Sequence, residues 1–326
     1  MKLFGKRNGS APTRIFFATD IHGSERCFRK FINAAQFYGV NILILGGDIT
    51  GKVVVPIIQE AAGIYRATVH HQVQKVSESD LPQLFKEIRS NGFYYYVTTP
   101  DEVEFLNDHP EAREEMFHRV IKDSLKTWFE LAEERLAGTG VRVYVSPGND
   151  DDEAVVESLN EGPFVINPDE SVQEIAEGLT MLSFGWSNRT PWDSPRELEE
   201  EEIRRRLEQM AAQVPDFNST IANIHVPPFN TPLDKAPRLT AELKPVVEAG
   251  EVQMASVGSV AVREFILKHQ PLLGLHGHIH ESAGIVKLGK STCINPGSEY
   301  SDGTLKGALV TIDRQKGAVM RQLIAG

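Results

Sequence analysis

The chain has 326 residues, of which 41% are hydrophobic and 24% charged, with a formal net charge of -11. This composition supports a sizeable core and excludes a fibrous or disordered class, while the acidic balance argues against a nucleic-acid polymer or an anionic membrane as partner. Only Cys27 and Cys293 occur, far apart, and no apolar run is long enough to cross a bilayer or act as a signal peptide, which predicts a cytoplasmic protein without a disulfide framework.

Residues 1–13 are polar and basic and read as a disordered leader; one α/β domain is expected over 14–326. The apolar run Ile15–Ala18 predicts a strand and is followed by Asp20-Ile21-His22. Cys27, Phe28, Phe31, Ile32 and Ala35 recur at helical spacing and predict a helix over Ser24–Gly39. A second strand, Ile42–Leu45, leads into Gly46-Gly47-Asp48, which completes the start of a βαβ unit. Residues 52–140 form an insertion without ligand motifs. It is expected to be largely helical, because Phe117, Val120, Ile121, Leu125 and Trp128 share one helical face, and to serve as a cap or a homo-oligomer surface.

The strand Val141–Val145 precedes Gly148-Asn149-Asp150. Over Pro195–Gln213, acidic residues come first and Arg204–Arg206 later, which predicts a solvated helix aligned with its dipole. From Thr220 to Ile312 the chain reads as strands with short connections, among them Ile221–Ile224 before His225 and Leu272–Leu275 before Gly277-His278-Ile279-His280.

Five motifs thus follow five strands, and their donors are expected to meet at the carboxyl edge of a sheet, where open α/β folds place their sites. Asp20, His22, Asp48, Asn149, His225, His278 and His280 supply enough oxygen and nitrogen donors for two divalent ions. Residues two apart in an extended backbone point to one side, so Asp20 with His22, and His278 with His280, are each expected to grip one metal region. Asp48 has two carboxylate oxygens with which to bridge two ions.

These five blocks, in this order, resemble those of the calcineurin-like metallophosphoesterases. The segments Gly185–Pro191, His225–Thr231 and Gly277–Ser282 look similar to the Icc-related phosphoesterases of bacteria and archaea. The resemblance implies a four-layer αββα fold, a β-sandwich flanked by helices with a helical insertion. It also implies one metal on Asp20, His22, Asp48 and His280 and a second on Asp48, Asn149, His225 and His278. Two transition-metal ions are expected, manganese first, with iron, zinc, cobalt or nickel also suited to the donors. The implied reaction is attack of a metal-bridging hydroxide on a phosphate ester, with a phosphodiesterase on small or nucleotide-like substrates expected first and Asp48, Asn149, Asp150 and His225 as the catalytic set.

Many family members have histidine where this chain has Asp150, followed here by Asp151. An ionised carboxylate cannot protonate a leaving group and repels phosphate, which favours phosphodiesters or activated esters over monoesters. The competing view is that Asp150 and Asp151 cap the helix starting near Asp152. Asn149, Lys52 and Arg189 are candidate phosphate contacts, although a loop lysine is solvated by default. His276 reads as a hydrogen-bonding support. Alternative functions are a phosphomonoesterase or nuclease of the same superfamily, or a non-catalytic metal-binding scaffold for protein partners.

Overall fold

Along Thr13–Ala18 the side chains alternate between two interiors: Ile15 and Phe17 face one core, Phe16 and Ala18 another. The computed structural model describes residues 11–313 and 318–326. The leader expected over 1–13 therefore lies outside the described residues for 1–10, and Thr13 already opens the first strand.

That strand sits inside a six-stranded sheet whose spatial order is Ala318–Ala325, Lys306–Asp313, Thr13–Ala18, Ile42–Gly46, Arg142–Ser146 and Val165–Ile166. A second six-stranded sheet runs Gly284–Leu288, Ser291–Asn295, Leu273–Leu275, Thr220–Ile224, Leu179–Phe184 and Ser171–Ala176. The strands that lead into the donor motifs pair in parallel, Ile15 with Ile42, Ile42 with Arg142 and Ile221 with Leu273, so their carboxyl ends emerge on common edges.

The sheets pack face to face through Ile15, Phe17, Ile44, Met181, Ile221 and Leu275. Helices Glu25–Tyr38, Pro110–Leu136 and Glu153–Leu159 cover the outer face of the first sheet through Phe28, Phe31, Trp128 and Val155. Helices Glu200–Ala211 and Val260–His269 cover the second through Ile203, Leu207, Val262 and Phe265. These are the four αββα layers. Near the donor edge a polar pin joins the sheets: the Asn223 amide donates to Ser146 Oγ at 3.0 Å and Ser183 Oγ at 3.1 Å.

Two expectations need refinement. The 52–140 stretch holds a sheet beside its helices Leu81–Ser90, Pro100–Asp108 and Pro110–Leu136. Val54–Ala61, Ile64–Val69, Gln72–Ser77 and Tyr94–Thr98 form a four-stranded sheet, backed by helix Leu81–Ser90 through Val55, Ile57, Tyr65, Leu84 and Ile88. The β-branched and aromatic content of Val54–Ile58 and Tyr94–Thr98 is the local reason. Its long helix, Pro110–Leu136, packs on the first sheet, with the rings of Trp128 and Phe28 stacked at 4.6 Å between centroids.

The second refinement is the helix Val260–His269, in a stretch whose Val, Phe and Ile residues read as strand. Ser259 caps it, with the Val262 N–H donating to Ser259 Oγ at 3.2 Å, and Glu200 accepts from the N–H groups of Val260 at 3.0 Å and Ala261 at 2.7 Å. Satisfying three free donors at the first turn overrides the β-branched preference. Among the described residues, no helix is long and apolar enough to cross a membrane.

Candidate metal centre

Each donor loop leaves its strand and turns sharply. Asp20, His22, Asp48 and His278 have φ values of 54, 38, 50 and 68°, in the left-handed region that side chains with a Cβ seldom occupy. The expected extended D-x-H and H-x-H geometry is therefore absent. The donors of each pair converge through left-handed turns, a strained arrangement of the kind found where surrounding bonds fix a site.

For the Asp48 loop those bonds centre on Asp151, which is fully buried. Its carboxylate accepts from the N–H groups of Ile49 at 3.0 Å, Thr50 at 3.0 Å and Gly148 at 2.8 Å, and from Thr50 Oγ1 at 2.6 Å. It thus ties the Asp48 loop to the Asn149 loop. Helix capping falls to Asp152 instead, which accepts from the Val155 N–H at 3.1 Å and corrects the capping role considered for Asp150 and Asp151. Burial, and then the charge of Asp48, push the Asp151 carboxyl up to about 6. At Gly148 a Cβ would overlap the carboxylate and backbone N of Asp48, so only glycine lets these loops approach this closely.

The donors gather into two clusters and a third that links them. Asp20, His22 and His280 form the first; Asp48, His225 and His278 form the second; and His22 and Asp48 also meet Asp150. In the first, His22 Nε2 lies 3.1 Å from His280 Nε2, and His280 Nε2 lies 3.6 Å from Asp20 Oδ1. In the second, Asn149 Oδ1 lies 3.1 Å from His225 Nε2 and 2.7 Å from His278 Nδ1. Asp48 Oδ2 stands between them, 3.4 Å from His225 Nε2 and 3.8 Å from His22 Nε2, the position a bridging carboxylate needs.

Neighbouring groups fix which atoms face inward. His225 Nδ1 donates to the Gly46 carbonyl at 2.9 Å, which turns Nε2 towards the cluster. The Asn149 Nδ2 group donates to Asp150 Oδ1 at 3.0 Å, which turns Oδ1 towards His225 and His278. The remaining Asp48 oxygen accepts from the Asp150 N–H at 2.9 Å, and the Asp20 carboxylate accepts from the His278 N–H at 3.1 Å.

Burial raises the Asp48 carboxyl, but the charges of His225, His22 and His278 outweigh it and hold it well below the ordinary carboxylate range. For His225, burial opposes the charged form while Asp48 and Asp20 favour it more strongly, lifting the imidazole to about 10. His278 is pushed down to about 4 by burial and then by the charge of His225. The two imidazoles beside Asn149 thus have opposed preferences for positive charge, and both face buried carboxylates that a cation would satisfy. Buried carboxylates, imidazoles and an amide oxygen fit divalent transition metals.

The other candidates lie around these clusters. Lys52 Nζ pairs with Asp150 Oδ1 at 2.7 Å, and Ser194 Oγ donates to the same oxygen at 2.8 Å. The repulsion expected between Asp150 and phosphate is therefore offset by an adjacent ammonium. Arg189 borders the same cavity but its guanidinium is engaged with Glu199 at 3.0 Å and Asp193 at 3.7 Å. His276 is buried and donates from Nδ1 to the Ile224 carbonyl at 2.8 Å, away from the clusters.

Sequence reasoning missed Ser194 and also Tyr300, whose ring lies 4.7 Å from that of His22 and 5.9 Å from that of His280 between centroids. It missed Ser298 and Asn295 too. Ser298 Oγ donates to the Asp20 carbonyl at 2.6 Å, and the Asn295 amide donates to the Ile279 carbonyl at 2.9 Å. The only signal was the turn Asn295-Pro296-Gly297-Ser298, which pins the first and last donor loops.

No family model matches the chain. The uncharacterized protein MJ1162 of Methanocaldococcus jannaschii is 32% identical over 158 residues, covering 48% of this chain. The match spans 64% of that relative's length. Two solved structures share the fold over 96% of this chain and 99% of theirs: one with a TM-score of 0.57 at 14% identity, the other TT1561 of Thermus thermophilus, with a TM-score of 0.51 at 13% identity.

Proposed function

We propose, for a chain whose fold is that of the calcineurin-like metallophosphoesterases, that the seven-donor centre makes it a dinuclear metal-dependent phosphoester hydrolase. The observation that carries this reading is Asp48, one carboxylate shared by two donor clusters drawn from separate strand ends.

Two divalent cations, when bound, supply positive charge for phosphoryl oxygens and lower the pKa of water to the neutral range. The chain's own groups do the rest. Asp20, His22 and His280 hold one side, and Asn149, His225 and His278 the other. Lys52 lies next to the centre as a positive charge suited to a non-reacting phosphate oxygen, and Asp150 positions both Lys52 and the Asn149 amide. Asp150 is thus a positioning residue rather than a proton donor. The position offers no imidazole acid, so the favoured substrates are those whose alcohol leaves without strong protonation: phosphodiesters and activated esters. Arg189, committed to Glu199, orders the rim. Manganese is the ion we assign first among the transition metals that suit the donors.

Metal-stripped protein resupplied with manganese is expected to turn over bis(p-nitrophenyl) phosphate faster than p-nitrophenyl phosphate. A preference for the monoester would overturn the diester assignment. Turnover of neither, with two metals bound, would overturn the hydrolase reading itself.

A further inference from the structure

A cavity of about 1040 Å³ opens on the metal centre, with His22, Asp48, Asn149, His278 and His280 in its lining. That lies at the upper end of the roughly 300–1,000 Å³ typical of small-molecule sites, far more than a phosphoryl group fills. The rest of its wall comes mainly from the excursion over residues 229–258 and from the loop that carries Trp192.

Leu239, Leu243, Pro245, Val257 and Val260 form an aliphatic strip along this wall, with the aromatic side chains of Phe93, Trp192, Phe229 and Tyr300 elsewhere in the lining. Trp192 is 59% exposed, Leu243 40% and Val260 38%, so large apolar side chains are left to water inside a concave site. The display is built into the backbone. Buried Asp234 ties both ends of the excursion together, accepting from the N–H groups of Asn230 at 2.8 Å, Thr231 at 3.0 Å and Gly258 at 3.2 Å. Leu243 itself sits at φ 59°, a conformation leucine rarely adopts and one that local propensity does not explain.

Most polar groups on the wall are already matched. Thr190 donates to Glu197, Ser256 Oγ accepts from Lys235 Nζ at 2.6 Å, Arg189 pairs with Glu199, and Glu200 caps the helix Val260–His269. Arg238 and Glu281 complete the lining with one charge of each sign, and Asn188 Oδ1 is a buried acceptor without a partner.

Resting on the hydrolase reading, we propose that the substrate is a phosphodiester with one aliphatic ester group, whose chain lies along Leu239, Leu243, Val257 and Val260 and stays on the phosphate while that phosphate meets the metal centre and the other ester bond is cleaved. Water adds to phosphorus as the P–O bond to the other, less basic alcohol breaks; that group leaves as its anion, the protons of the attacking water pass to solvent, and the aliphatic phosphate monoester is the product.

The test separates binding from turnover. Octyl phosphate and methyl phosphate are titrated calorimetrically into the manganese-loaded protein. Each buried methylene multiplies affinity about fourfold, so octyl phosphate is expected to bind at least about tenfold more tightly even with partial burial. Leu243→Asn, which keeps a residue tolerant of positive φ, and Trp192→Ala, at an exposed side chain, should each shrink that ratio by threefold or more. Equal affinities, or tighter binding of thymidine 5′-monophosphate than of octyl phosphate, would overturn the proposal. Chain-length-dependent binding without hydrolysis of p-nitrophenyl octyl phosphate would instead overturn the hydrolase reading and leave the aliphatic site standing.

Discussion

The loops that carry the donors and the excursion over 229–258 that walls the cavity beside them are built in opposite ways. Asp20, Asp48, Asn149 and His225 are at most 3% exposed, the two aspartates sit at positive φ, and side chains from other loops tie the set in place. The excursion has ladders only two or three residues long, Lys235–Pro237 with Met254–Ser256 and Val247–Glu248 with Glu251–Val252, and leaves Val247 and Val252 58% and 47% exposed. Sheet edges over-determine the chemistry, whereas a lightly tethered segment shapes what the substrate touches. Damage to the first region should abolish turnover whatever the substrate, and damage to the second should change preference.

Asp48→Asn should have the largest effect. It removes the carboxylate shared by both clusters and should lower diester turnover by at least about 10³-fold, equivalent to about 4 kcal/mol, while circular dichroism is retained. Asp151→Ala comes next. It strips the acceptor from three backbone N–H groups, each costing about 1–3 kcal/mol when left unsatisfied, and should lower the melting temperature and weaken metal affinity by about 10–100-fold. A normal melting temperature in this variant would break the claim that Asp151 holds the loops together.

Lys52→Met should raise KM for the diester by about tenfold or less with a smaller change in kcat, since the role proposed for Lys52 is to meet a non-reacting phosphate oxygen and not the attacking group. Arg189→Ala should matter least, under about threefold, because the exposed pair with Glu199 carries little energy. A larger loss from Arg189 than from Lys52, read as kcat/KM, would reverse their assigned places.

Much of the donor set was legible in the sequence because metal ligation demands particular residue types, and each block followed an apolar run that could end only at a sheet edge. The turns were not. Asp20-Ile21-His22 reads as extended, yet both donors adopt positive φ, because the bonds that hold them there come from Gly47, Asp48 and Ser298, distant in sequence or in another loop. Asp151 reads as a cap for the same reason: its partners Ile49 and Thr50 are about a hundred positions away. The helix Val260–His269 has a local cap in Ser259, but two of its first N–H groups are satisfied by Glu200, from another helix and out of reach of the local sequence. The sheet within 52–140 had a local signal in its β-branched and aromatic runs, which the stronger helical periodicity after Met116 obscured. The cavity wall was out of reach, since its character depends on which side chains a lightly structured excursion leaves exposed.

Metal counting beside turnover bears most directly on the central claim. Wild-type protein should carry two transition-metal ions per chain and lose diester turnover in step with their removal by a chelator, with Asp48→Asn retaining fewer than two and no turnover. Undiminished turnover in protein stripped of both ions would contradict the dinuclear centre.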